Sequence, residues 1–311
     1  MTTSLSGRDL LTLADLSSAE IRLVLDTAHA QKAAWASGER DAPLAGMAIA
    51  LVFEKPSVRT RVSFEVACAR LGATPIVLSG PDSAFSRGET VADTARVLER
   101  YCEAIVLRTF EQAKLDEVAR VAGVPVVNSL SDDHHPCQGL ADLLTVEEHV
   151  GRLEGVRFAY VGDGNNMAHT YLHAGALTGM DVRIATPAGF EPDPRIVEEA
   201  RALAAGTGAK ISVGHDAVTA VEGADVVATD TWASMGQEDE HAERLAAFGP
   251  FRVDEGLMRH AAPGARFMHC LPAHRGEEVT HAVIEASSSI VFDEAENRLH
   301  AQKALLSLLL G

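Results

Sequence analysis

The chain has 311 residues, 47% hydrophobic and 23% charged, which excludes a disordered chain and suggests about two domains of ~100–200 residues each. Lys and Arg total 27 against 44 Asp and Glu, a formal net charge of -17. Such an acidic surface argues against a nucleic-acid binder or a polybasic membrane-surface protein, and an anionic ligand would need a local cationic pocket. Only Lys32, Lys55, Lys114, Lys210 and Lys303 are lysines, so nearly all the cations are arginine, whose planar fork of donors suits phosphate and carboxylate. Cys68, Cys102, Cys137 and Cys270 share no C-x-x-C spacing, which leaves a zinc knuckle or thioredoxin motif unsupported. No basic segment leading into an apolar run opens the sequence, and no stretch of about 18 apolar residues occurs, so a reducing cytoplasm is the expected compartment.

In chain order, Asp15 or Ser17 starts a predicted helix that ends near Gly38, and MAIALVF (47–53) reads as a buried strand. Ser57 then caps a helix running to Gly72, followed by a strand at 73–79 and a polar loop at 80–89. A helix at 90–101, strand 104–108, helix 111–122 and strand 125–129 complete the first half, and a helix at 138–150 leads out of it. The second half restarts with a strand into a glycine-bearing turn (156–164). Helix 166–178, strand 181–187, helix 194–206, strand 209–214, helix 215–223 and strand 224–230 follow, then strand 266–272 and a terminal helix at 294–310. Alternating strands and helices predict an α/β protein of two doubly wound parallel-sheet domains linked by helices. Ligands in such sheets sit beyond the carboxyl ends of the strands, where the distinctive segments fall.

Ser57-Val58-Arg59-Thr60-Arg61 follows a strand and opens a helix, where free backbone N–H groups, two hydroxyls and a guanidinium would cradle phosphate; an ordinary Ser-capped helix fits the same residues. Arg108 ends a buried-looking strand, facing either a ligand or solvent. His134-His135-Pro136-Cys137-Gln138 places an imidazole and an amide at another strand end, suited to polarising a carbonyl and poorly spaced for a metal. Gly162-Asp163-Gly164-Asn165-Asn166-Met167 looks like a dinucleotide turn, but Met167 holds the third glycine position and Thr186-Pro187 stands where the ribose-binding acid belongs. Its amides suit an amino acid better than NAD. Asp230, in DTWASMG, can hold an ammonium or simply form a turn. HCLPAHRG (269–276) and Glu296-Asn297-Arg298 are the remaining candidates; a buried strand with an inert thiol and a solvated first helical turn fit them equally.

FEKPSVRTR, HPCQGLADLLT, DTWASMGQ, HCLPAHRGEEV and DEAENRLHAQKALL, in this order across essentially the whole chain, resemble the aspartate/ornithine carbamoyltransferase family, the last three its ornithine branch. The resemblance implies carbamoyl transfer from carbamoyl phosphate to the δ-amine of L-ornithine, giving L-citrulline and phosphate in arginine biosynthesis, without metal or organic cofactor. It implies a carbamoyl-phosphate domain (1–137, joined by helix 294–311), an ornithine domain (151–293) and an interdomain helix (138–150), with the C-terminal helix packing back on the first domain. A homotrimer or multiple of trimers with active sites at subunit interfaces is also implied.

Carried over by resemblance, Ser57, Val58, Arg59, Thr60, Arg108, His135, Gln138, Cys270, Leu271 and Arg298 would hold carbamoyl phosphate, with Thr60, Arg108, His135 and Cys270 in catalytic roles. Asn166, Asp230, Ser234 and Met235 would hold ornithine, and Cys270 and Leu271 would lie near its δ-amine. Two positions depart from the family pattern: Val58 stands for a Thr, and Ala84 for the Gln of a loop donated by a neighbouring subunit. These departures motivate two alternatives: a paralogue acting on another amine, such as acetylornithine or putrescine, or a weakly active binding paralogue.

Overall fold

The computed structural model describes residues 4–79, 89–233 and 241–311. The chain divides into two compact units, Met1–Leu144 with Glu296–Gly311, and Thr145–Ala295.

In the first unit, α1 (Ser18–Ala36) begins with Ser17 and Glu20 bonded reciprocally as a capping box, so of the two starts offered the helix takes Ser17 rather than Asp15. Then come β1 (Ala48–Phe53), α2 (Val58–Leu71), β2 (Thr74–Ser79), α3 (Val91–Leu98), β3 (Ala104–Arg108), α4 (Gln112–Val121), β4 (Val126–Leu130) and α5 (Pro136–Val150), whose residues from Thr145 onward belong to the second unit. The four strands are parallel in the order β2-β1-β3-β4. Ile49–Phe53 and Ala104–Arg108 are buried throughout, as strands covered on both faces must be, and Val52, Ile105, Leu107, Leu115 and Val118 share one core cluster. Gly72 closes α2 at φ +81°, where a Cβ would come within 2.8 Å of Ala42 Cβ, so only glycine fits.

The second unit contains β5 (Arg157–Val161), α6 (Asn166–Thr178), β6 (Asp181–Ala185), α7 (Pro194–Ala204), β7 (Lys210–Gly214), α8 (Ala217–Val221), β8 (Val226–Thr229), α9 (His241–Phe248), α10 (Glu255–Met258), β9 (Arg266–His269) and α11 (His281–Ile284). Its five parallel strands run β7-β6-β5-β8-β9. The last helix, α12 (Val291–Leu310), starts in this unit, and its residues from Glu296 onward belong to the first.

Most elements lie within a few residues of their predicted bounds. The helix expected at 138 begins at Pro136, because proline's missing N–H costs nothing in a first turn. The terminal helix begins at Val291, so Glu296–Arg298 lie in its second turn rather than opening it, and Asn297 and Arg298 are buried. Helices α9, α10 and α11 were not foreseen. The last two have four residues each, too few to show a helical period, and rest on caps from Asp254 and Thr280.

Strand order reverses between β1 and β3 in the first sheet, and between β5 and β8 in the second. Successive crossovers leave from opposite faces there, opening a crevice beyond the carboxyl ends of those strands.

Candidate active site

The reversal in the first unit lies between the end of β1, which leads to α2, and the end of β3. Ser57 caps α2 by accepting from the Thr60 N–H at 3.2 Å, and its hydroxyl donates to Thr60 Oγ1 at 3.0 Å. Val58 is the first helical residue and is 79% exposed, and its backbone N–H is among those that a first helical turn leaves without an intrahelical partner. Arg108 is the last residue of β3, where the register with β4 shifts between Leu107 and Arg108. Such an irregularity re-aims a side chain next to a binding site. The adjoining loop is braced to the strand ends: Glu54 N–H donates to the Arg108 carbonyl at 2.9 Å, Lys114 donates to the Glu54 carboxylate at 2.7 Å, and the Thr109 hydroxyl bonds the same carboxylate. The buried Lys55 pairs with Asp132, its Nζ 4.3 Å from the centroid of the Phe110 ring.

Arg298 reaches this place from α12. Its Nη1 donates to Gln138 Oε1 at 2.7 Å and its Nη2 to Thr60 Oγ1 at 3.2 Å. Gln138 in turn donates to Asp142 Oδ1 at 2.7 Å, which orients its amide. His135 immediately precedes α5 and is buried. Burial, then the positive charges of Arg298, Arg108 and Arg59, hold its imidazole well below the usual histidine range, so it is neutral near pH 7. Those three arginines, which the resemblance assigns to one anion, thus all lower the pKa of one imidazole. Cys137 is buried with its thiol pushed up to about 12 by burial, and donates to the Asn128 carbonyl at 3.3 Å. It packs the site as a neutral group.

The reversal in the second unit brings together the turn after β5 and the end of β8. Asn165 caps α6, accepting from Met167 N–H at 2.9 Å, and its amide donates to Asp230 Oδ2 at 3.2 Å. The Cys270 thiol donates to Asp230 Oδ1 at 3.2 Å, so one carboxylate joins the ends of three strands. Asn166 occupies the first turn of α6. Tyr160 donates to Asn165 Oδ1 at 3.4 Å, its hydroxyl kept protonated by burial and by the charges of Asp230 and Asp163. Leu271 has φ +57°, which an ordinary side chain adopts only at a cost of ~1–2 kcal/mol. Its N–H is held by His269 Nδ1 at 2.9 Å, while His269 Nε2 lies 3.1 Å from Glu278 Oε1.

The ligand atoms of Asp230, His269 and Cys270 all lie within 4.8 Å of one another. Both imidazole nitrogens of His269 are committed to protein partners, so the trio is put together as a hydrogen-bond network. In the GDG turn, a Cβ on Gly164 would meet the backbone at Glu191 and Pro192 at 2.3 Å. That glycine makes room for the backbone of the segment between β6 and α7, not for the approach of a pyrophosphate, in keeping with the missing third glycine.

Ser234 and Met235, and the departure at Ala84, lie outside the described residues. Sequence reasoning missed Asn165 as the partner of Asp230, and it missed Arg244 altogether. Asn165 carried a signal, an Asn just ahead of an apolar helix. Arg244 carried none, because its helix was not foreseen.

Residues 8–148 match the family model for the aspartate/ornithine carbamoyltransferase carbamoyl-P binding domain, and residues 154–309 the model for that family's Asp/Orn binding domain. The chain belongs to the aspartate/ornithine carbamoyltransferase family. Among relatives of this carbamoyltransferase, the ornithine carbamoyltransferase of Pyrococcus abyssi is 52% identical, over 100% of the chain and 98% of the relative. That of Anoxybacillus flavithermus is 53% identical, over 99% and 98%. Among solved structures, ornithine carbamoyltransferase from Pyrococcus furiosus superposes with a TM-score of 0.97 at 51% identity, covering 100% of this chain and 99% of that one. That from Gloeobacter violaceus has a TM-score of 0.89 at 46% identity, covering 99% and 100%.

Proposed function

We propose that the chain transfers the carbamoyl group of carbamoyl phosphate to the δ-amine of L-ornithine, giving L-citrulline and phosphate. The observation that carries this reading is Arg298 bridging Gln138 to Thr60 in the first turn of α2, with the buried His135 held neutral by burial and by the charges of Arg298, Arg108 and Arg59. That arrangement suits an acyl phosphate: a dianion for the arginines and helix dipole, and a carbonyl oxygen for a neutral imidazole. The relatives named above support ornithine as the acceptor.

In the mechanism, Ser57, Arg59 and the N–H groups of Val58 and Thr60 hold the phosphate, and Arg108 bridges phosphate and carbonyl. The neutral δ-amine attacks the carbamoyl carbon. Negative charge grows on the carbonyl oxygen, where Thr60, Arg108 and His135 are already oriented to receive it, so little reorganisation is needed. Arg298, locked between Gln138 and Thr60, preserves that orientation. Phosphate leaves into the cradle as the tetrahedral species collapses. Asp230 and Asn166 hold the α-amino and carboxylate end of ornithine, with Ser234 and Met235 completing that subsite, and Cys270 and Leu271 lie at the δ-amine. The δ-ammonium, near the lysine reference of ~10.4, must lose its proton before attack, to a phosphate oxygen of the bound carbamoyl phosphate or to Cys270 as the thiol's own proton passes to Asp230. Alignment of two bound substrates supplies much of the acceleration.

In this reading the carbamoyl-phosphate domain is 1–137 with 294–311, the ornithine domain is 151–293, and 138–150 joins them. The protein works in the cytoplasm as a homotrimer with its active sites at subunit interfaces. Exposed apolar pairs four residues apart, Val58 with Val62 and Val97 with Tyr101, support an assembly. Sedimentation as a monomer would overturn that part.

The test of the activity is a steady-state assay with carbamoyl phosphate and a panel of amines. Citrulline from ornithine in preference to carbamoylated acetylornithine or putrescine is the expected result, and no citrulline overturns the reading.

A further inference from the structure

Arg244, on α9, is almost wholly buried. Its Nη1 donates to Asp163 Oδ2 at 2.8 Å and to the Trp232 carbonyl at 2.8 Å. The guanidinium carbon lies 5.1 Å from the Phe190 centroid and 5.9 Å from that of Phe248. Phe248 packs edge-on against Phe190 at 4.8 Å and tilted against Trp232 at 5.8 Å. An arginine thus stands against aromatic rings and donates to a carboxylate and to a carbonyl.

A buried ion pair is a poor way to gain stability, since removing both charges from water costs about what their attraction returns. Burial pushes the Asp163 carboxyl up to about 6 even with Arg244 beside it, a sign of how costly that charge is here. What the pair supplies is geometry. Asp163 sits in the turn after β5, two and three residues before Asn165 and Asn166. Trp232 stands two residues after Asp230, at the end of β8. Strands β5 and β8 are the neighbours between which the order of this sheet reverses. One donor nitrogen thus ties together the two chain segments that flank the ligand crevice of the unit.

We propose that Arg244 is a positioning residue for the amino-acid substrate: it fixes the separation of the Asn166 and Asp230 segments and so sets the affinity for ornithine. This rests on the reading that Asn166 and Asp230 hold ornithine. Arg244 touches no reacting atom, so its loss should weaken binding of one substrate and leave the chemical step nearly intact.

The experiment varies ornithine at saturating carbamoyl phosphate in R244Q, R244K and D163N, with KM for carbamoyl phosphate measured in parallel. In R244Q the KM for ornithine should rise by about 10- to 100-fold, with kcat within about threefold and the KM for carbamoyl phosphate unchanged. R244K keeps a cation able to donate to both oxygens and should recover part of the loss, whereas D163N should show a smaller rise than R244Q. Should R244Q not fold, the same one-sided rise in D163N and R244K carries the test. An unchanged ornithine KM, or equal losses for both substrates, overturns the proposal. D230N and N166A test the underlying reading separately: a wild-type ornithine KM in both would remove the subsite itself, whatever Arg244 does.

Discussion

Each sheet of this chain reverses its strand order once, and the two reversals are equipped in opposite ways. Around His135 the first unit gathers Arg59, Arg108 and Arg298 with a helix N-terminus, all positive. Around Asp230 the second unit gathers an amide, a thiol and a phenol, with the guanidinium of Arg244 turned onto Asp163. In the proposed reading, the same kind of crevice takes a dianion when lined with fixed cations, and an ammonium-bearing amino acid when lined with a carboxylate and neutral dipoles. In a chain of formal charge -17, the first lining had to be concentrated locally, and it draws its arginines from three distant stretches of sequence.

The sharpest way to break this contrast is Arg59→Ala. It should cost carbamoyl-phosphate affinity roughly a hundredfold, the order for losing charge-assisted hydrogen bonds to a dianion, by isothermal titration calorimetry. Near-normal affinity would mean the cradle is elsewhere. Next in size is Asp230→Asn, expected to raise the KM for ornithine about tenfold or more while carbamoyl-phosphate binding stays as it is. A loss on the phosphate side instead would erase the division of labour.

A third prediction concerns acid. The folded His135 takes up a proton less readily than the unfolded chain, whose histidine titrates near ~6.5, so protonation favours unfolding. Stability should therefore fall as pH drops below about 6.5, and the fall in Tm should be shallower in His135→Asn. Identical slopes in both proteins would show that His135 is not held neutral. The smallest effect is reserved for Val58→Thr. With its side chain turned to solvent, the added hydroxyl should improve carbamoyl-phosphate affinity by no more than about threefold, whereas a tenfold gain would show that the side chain, not the backbone N–H, makes the contact.

Much of this was legible in the amino-acid order. Alternating buried strands and amphipathic helices made an α/β protein of two parallel sheets readable, since periods of 2 and 3.6 report local geometry. Capping residues at Ser17 and Ser57 marked helix starts through bonds made within a few positions. The candidate segments fell at strand ends for the same local reason. Strand order was not readable, because pairing of parallel strands is made across crossovers of many residues. Only the order β2-β1-β3-β4 shows that the Ser57 and Arg108 segments flank a reversal. Arg298 bonds Gln138 across 160 positions and Thr60 across 238, separations on which no local pattern reports. The tie from Arg244 to Asp163 and Trp232 likewise exists only once aromatic rings from three segments have closed around it. Residue types and local periodicity determined the elements and the chemistry on offer; long-range packing decided which groups meet, because only it brings the loops between those elements together.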